Sequence, residues 1–186
     1  MALVAKVGTF AVERLKTVIK NMPEFTLHDD THIFNMLTII GKLIPQENMR
    51  KLSTPDLFML IVSVFLHDIG MAPDEKHILA WKNQLPETEY DEELKEEREK
   101  FARFRLTYTH QLADIERLET EQEFSKAQLL EDYIVTEYIR TTHSIRAREV
   151  IAKYWAGEIV YQDLSLIHIS GAHETAANLV CRLLLE

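Results

Sequence analysis

One cysteine, Cys181, is all the chain has. That excludes an internal disulfide and fits a reducing, cytoplasmic setting. Glycine and proline are scarce too, five of each in 186 residues, so few positions interrupt regular structure. Cations are outnumbered: 21 Lys and Arg face 30 Asp and Glu, a net charge of −9. A duplex-binding domain normally carries a basic stripe, and this chain has none, which makes duplex nucleic acid a poor partner and disfavours a nuclease on single strands. No apolar run reads as long enough for a membrane span. The start, Met1 to Val7, is mildly apolar but lacks the basic flank and long apolar run of a signal peptide.

What is present is ordinary for a globular protein, 46% hydrophobic and 27% charged residues. The length favours one domain, residues 1–186, with a real core. Apolar residues recur at spacings of three and four, so the fold class is all-α. The pattern predicts a first helix over about 3–22, closed by Pro23, and a second from Asp29 or Asp30 to about Ile44. A third opens at Ser53-Thr54-Pro55-Asp56, a capping residue followed by proline in the first turn, and runs through His67-Asp68 to Gly70. Pro73 and Pro86 bracket a short helix. Two long helices are expected at about 122–139 and 143–156, and two more near 163–170 and from Glu174.

Residues 87–118 stand apart. Eight acids between Glu87 and Glu99 meet only Lys95 and Arg98. Such a run repels itself and stays hydrated, so it reads as a solvated helix face rather than a metal cluster. The stretch is a candidate insertion, either a lid over a pocket mouth or a plain surface excursion. Phe101, Phe104 and Tyr108 suggest that it packs on something.

The most informative feature is His67-Asp68, a polar pair at the end of the apolar stretch Leu57 to Leu66. Burying unpaired charge there costs on the order of several kcal/mol. A divalent ion would offset that cost, because it accepts neutral imidazole and ionised carboxylate as ligands. Adjacent residues on a helix point about 100° apart, so the pair needs partners from elsewhere. His32, His143 and His173 each lie on or beside a segment of helical apolar spacing. His77, His110 and His168 read as structural, the first two because their surroundings are polar.

The strings His28-Asp29-Asp30-Thr31-His32, Phe65-Leu66-His67-Asp68-Ile69-Gly70-Met71, Tyr138-Ile139-Arg140-Thr141-Thr142-His143 and Ile169-Ser170-Gly171-Ala172-His173 follow one another in the chain. Together they resemble the motifs of the HD superfamily of metal-dependent phosphohydrolases, over roughly residues 20–186. The variant reading His-Asp-Ile-Gly-Met is closest to a subgroup found in larger bacterial multidomain proteins. The resemblance implies a helical HD-domain bundle, here with a charged helical insertion. It implies His32, His67 and Asp68 as ligands of one metal ion, with His143 and His173 for a second. Met71 stands where many members have a lysine available for phosphate. No distal aspartate ligand is evident. The end, Val180 to Glu186, looks like the start of the helix that carries it, so the resemblance leaves two expectations: a chain truncated just before that residue, or a site that lacks one ligand.

The expected chemistry is phosphoester hydrolysis on a nucleotide or related phosphate-containing small molecule. A metal would act as Lewis acid and lower the pKa of a bound water, with Asp68 the natural bridge between two ions. Mn, Fe, Ni, Co, Zn or Mg are candidates, the mixed His and carboxylate set suiting transition metals better than Ca. Arg140 and Arg146 flank His143 by three residues on its helical face, available either to phosphate or to salt bridges with the acidic 87–99 stretch. His28, four residues before His32, could protonate a leaving oxygen or serve as a capping or supporting residue. The alternative is a catalytically inactive HD module that binds metal or nucleotide and regulates a neighbouring domain. A homo-oligomer is also compatible.

Overall fold

The structure, a computed structural model, describes residues 2–22 and 30–155, and every structural statement below concerns these residues. They are helical, with no strand among them. The helices expected near 163–170 and from Glu174 lie outside them. Helix α1 spans Ala2–Asn21, α2 Asp30–Leu43, α3 Gln46–Met49, α4 Thr54–Leu66, α5 Glu75–Trp81, α6 Glu92–Arg105, α7 Thr109–Thr120 and α8 Phe124–Trp155. Short 3-10 turns cover Ile69–Met71 and Glu87–Glu89. The described residues fall into two compact units, one running to Ala72 and resuming at His143, the other from Pro73 to Thr142.

In the first unit α1 turns one stripe inward. Val7, Ala11, Leu15 and Val18, spaced by four, four and three, are all fully buried. Val7 and Ala11 join Val62 and Leu66 of α4, Ile69, and Ala147, Ile151 and Trp155 of α8 in one core cluster. Helix α4 begins as its sequence predicts. The Ser53 hydroxyl accepts from the Asp56 N–H at 3.3 Å, and the Asp56 carboxylate accepts from the Ser53 N–H at 2.9 Å, a complete capping box. Hydrogen bonds from the Ser53 side chain and backbone hold the Asp56 carboxyl below its usual range.

Two boundaries differ from expectation. Helix α4 stops at Leu66, not Gly70, and the chain passes through His67 into the 3-10 turn. Helix α8 runs 32 residues without the expected break near 140. Within it the Thr141 and Thr142 hydroxyls donate back to the Glu137 and Tyr138 carbonyls at 2.8 and 2.5 Å. The β-branched polar pair thus satisfies itself inside the helix.

The 28 residues Thr54–Trp81 are, by length and composition, apolar enough to cross a membrane, which the sequence reading did not anticipate. The fold divides them into α4, the 3-10 turn and α5. The 13 residues of α4 span about 20 Å, short of the about 30 Å of a bilayer's hydrocarbon core.

In the second unit Trp81 of α5, Phe101 and Phe104 of α6 and Tyr138 of α8 pack as an aromatic cluster. Tyr138 meets Trp81 edge-on at 5.2 Å and Phe104 at 5.1 Å between centroids. The charged stretch therefore has an apolar side, as Phe101 and Phe104 suggested. Ion pairs lie around it: Lys82 with Asp132 at 2.8 Å, and Arg105 with Glu131 through two nitrogens.

Candidate metal centre

His32, His67 and Asp68 converge in the first unit. Their ligand atoms all lie within 4.8 Å of one another. His32 Nε2 is 3.4 Å from His67 Nε2 and 3.7 Å from Asp68 Oδ2, and His67 Nε2 is 2.6 Å from the same oxygen. The end of α4 makes this possible. His67 keeps helical angles, but Asp68 turns to φ −104°, ψ 10° and leaves the helix. The neighbours no longer point about 100° apart, so both can face one point. Helix α2 brings His32 to that point from 35 residues away.

The protonation pattern is set by His67 Nδ1, 2.7 Å from the Val64 carbonyl oxygen in the last turn of α4. A carbonyl can only accept, so Nδ1 carries the proton. In a neutral imidazole Nε2 is then a bare lone pair, and it faces a carboxylate oxygen at 2.6 Å. Two acceptors at that distance repel unless a cation or a proton lies between them. Two ligands on a tetrahedral ion with bonds of about 2.0–2.1 Å lie about 3.3 Å apart. The observed separations of 2.6, 3.4 and 3.7 Å bracket that value. Two imidazoles and one carboxylate are a donor set that suits a divalent metal, with the His32 separations near the tetrahedral value and the His67–Asp68 contact at hydrogen-bond length. The side chains are 28%, 19% and 17% exposed for His32, His67 and Asp68, so the cluster is sheltered but open to solvent.

Helix α8 closes on this site through the backbone. A side chain on Gly70 would place its Cβ 1.9 Å from the His143 carbonyl oxygen and 2.6 Å from the Ala147 nitrogen. Only glycine allows that approach. One turn along, Arg146 is buried, and its Nε donates to the Gly70 carbonyl at 3.1 Å.

The other expected site residues stand as follows. His143 is half-buried on the α8 turn beside Gly70, and it is not among the three residues whose ligand atoms cluster. Arg140 is exposed and pairs with Glu137 at 2.8 Å. His28 and His173 lie outside the described residues. His77 faces Glu93 at 3.8 Å. Sequence reasoning missed the Val64 carbonyl and the Gly70–Arg146 contact. A histidine three residues after a helix-end carbonyl signals the first. A glycine two residues after Asp68 only hinted at the second.

Residues 22–182 match the family model described as HD-CE. No curated protein and no solved structure matches the chain.

Proposed function

The chain belongs to the HD-CE family, and on that footing we propose that it is a metal-dependent phosphohydrolase acting on a nucleotide or related phosphoester. One observation carries the reading: the ligand atoms of His32, His67 and Asp68 converge within 4.8 Å of one another, two imidazoles and a carboxylate as a divalent ion takes them. His32, His67 and Asp68 would hold a divalent ion, which when bound supplies Lewis acidity and an activated water.

The chain's own groups do the rest. The Val64 carbonyl fixes the His67 tautomer and ring orientation before any ligand arrives. Asp68 contributes the negative charge that offsets part of an ion's charge. Partial exposure of all three side chains leaves room for a phosphoester to approach, as a catalytic site requires. His143 and His173 are assigned to a second ion, Arg140 to the substrate phosphate and His28 to protonation of the leaving oxygen, on the strength of their sequence positions. The compartment proposed is the cytoplasm, on the single cysteine.

A second reading, a metal- or nucleotide-binding module that regulates a neighbouring domain, is favoured by the small size of the cluster, three protein ligands among the described residues. The two are separated by elemental analysis of the purified protein together with hydrolysis assays on p-nitrophenyl phosphate and a nucleotide panel. The proposal expects stoichiometric divalent metal and turnover in the wild type, and loss of both, with the helical circular dichroism retained, in Asp68→Ala. Metal without turnover would move the assignment to the binding module. Full activity in Asp68→Ala would place the chemistry elsewhere.

A further inference from the structure

We infer that Arg146 is a positioning residue for the metal ligands, acting through the Gly70 carbonyl, rather than a contact for substrate phosphate. The inference rests on the metal-binding reading above. Asp68 sits where α4 has ended, in a backbone conformation that no helix enforces. Something else must hold it. The 3-10 turn Ile69–Met71 follows at once, and its Met71 N–H donates to the Asp68 carbonyl at 2.8 Å. The middle residue of that turn, Gly70, is pressed against the α8 backbone at His143 and Ala147. Arg146 then ties the Gly70 carbonyl down with its Nε–H at 3.1 Å.

Three observations favour this role over phosphate binding. Arg146 is only 8% exposed, whereas a phosphate contact must meet an incoming ligand. Its Nε, the nitrogen nearest the stem, is spent on a main-chain carbonyl. The hydrogen bond joins residues 76 apart in sequence, linking the turn that carries Asp68 to a helix anchored in the core through Ala147 and Ile151. A charge-assisted bond to a carbonyl is among the stronger contacts available to a main chain. Loss of it would leave the 3-10 turn free to relax and the Asp68 carboxylate free to swing from His67.

The test is titration of Co²⁺ into wild type, Arg146→Met and Arg146→Lys, following the visible absorption of the bound ion, with thermal melting as a check on folding. Arg146→Met is expected to lose about 10- to 100-fold in Co²⁺ affinity, the range seen when groups supporting metal ligands are removed. At saturating Co²⁺ its spectrum should differ from wild type, which mere destabilisation of the fold would not produce. Arg146→Lys keeps a buried cation with a less directed donor and should fall between. A folded Arg146→Met with wild-type affinity and spectrum overturns the inference, and a rise in KM for p-nitrophenyl phosphate in that same protein would make Arg146 a substrate contact instead. Should Arg146→Met fail to fold, Arg146→Lys decides: reduced affinity with normal melting supports the role, and wild-type affinity overturns it. No binding by the wild type would overturn the metal-dependent reading and this inference together. Binding by the wild type with unaltered Arg146 variants would overturn this one alone.

Discussion

Between Thr54 and Leu66 there is a single charged residue, Asp56, whereas between Glu87 and Glu99 there are eight acids and two cations. The two stretches use polarity in opposite ways. Along α4 and the turn that follows it polar groups are few and individually tied: His67 to Val64, Arg146 to Gly70, Asp56 to Ser53. In the second they are many and mutually paired. Lys95 meets Glu92 at 2.7 Å and Lys100 meets Glu97 at 3.0 Å. Carboxylate hydrogen bonds raise the pKa of both lysines, as Glu87 does for Arg98. Scarce polar groups in an apolar setting each have one geometry and one use. Abundant ones on a wet face are interchangeable, and the apolar side beneath them holds the unit together.

If that contrast is sound, the second unit depends on its aromatic cluster. Trp81, 2% exposed, packs on Tyr138 and Phe101. Trp81→Ala should cost about 3–5 kcal/mol in urea denaturation, while Mn²⁺ affinity of the folded protein stays within about twofold because no ligand of the cluster belongs to that unit. A tenfold loss of affinity would break the comparison.

Ser53→Ala should cost about 1 kcal/mol through the lost capping box, and the cost should depend on pH. Asp56 has a folded-state pKa lowered from 3.8, so its contribution is present above that value and disappears as pH falls through the lowered one. The gap between wild type and variant is therefore widest near neutrality and narrows in acid. A gap independent of pH would mean that the hydroxyl acts without the carboxylate. Smallest of all, Lys95→Ala on the exposed face of α6 should leave the denaturation midpoint unmoved in 0.15 M salt. A clear shift would show that the charged face is less replaceable than its chemistry implies.

How far the sequence could be read depended on how local each feature is. The start of α4 was legible because a capping box spans only four residues, Ser53 to Asp56. Its end was misjudged: apolar periodicity continues through Ile69, and nothing local shows the chain turning at Asp68. The break expected near residue 140 is absent: α8 runs on through Thr141 and Thr142, whose hydroxyls are bonded within the helix rather than capping a new one. His67-Asp68 declared itself as a polar pair on an apolar background. His32 was reached through its place in a motif order, since a contact across 35 residues leaves no periodic trace. The pressing of Gly70 on α8 is purely tertiary, and so is the hydrogen bond that makes Arg146 a support.

The bond from His67 to the Val64 carbonyl also bears on local unfolding. The last carbonyls of a helix run short of backbone donors, and here the side chain of the prospective ligand supplies one. Rotating the His67 ring away would strip the terminal turn of α4 of that donor, and fraying of the turn would release the ring. The two losses are one cooperative event. The ligand is protected against swinging free by the opening free energy of the helix end rather than by the barrier to a single rotamer, and the exchange protection of the backbone amides in that last turn should report the same free energy.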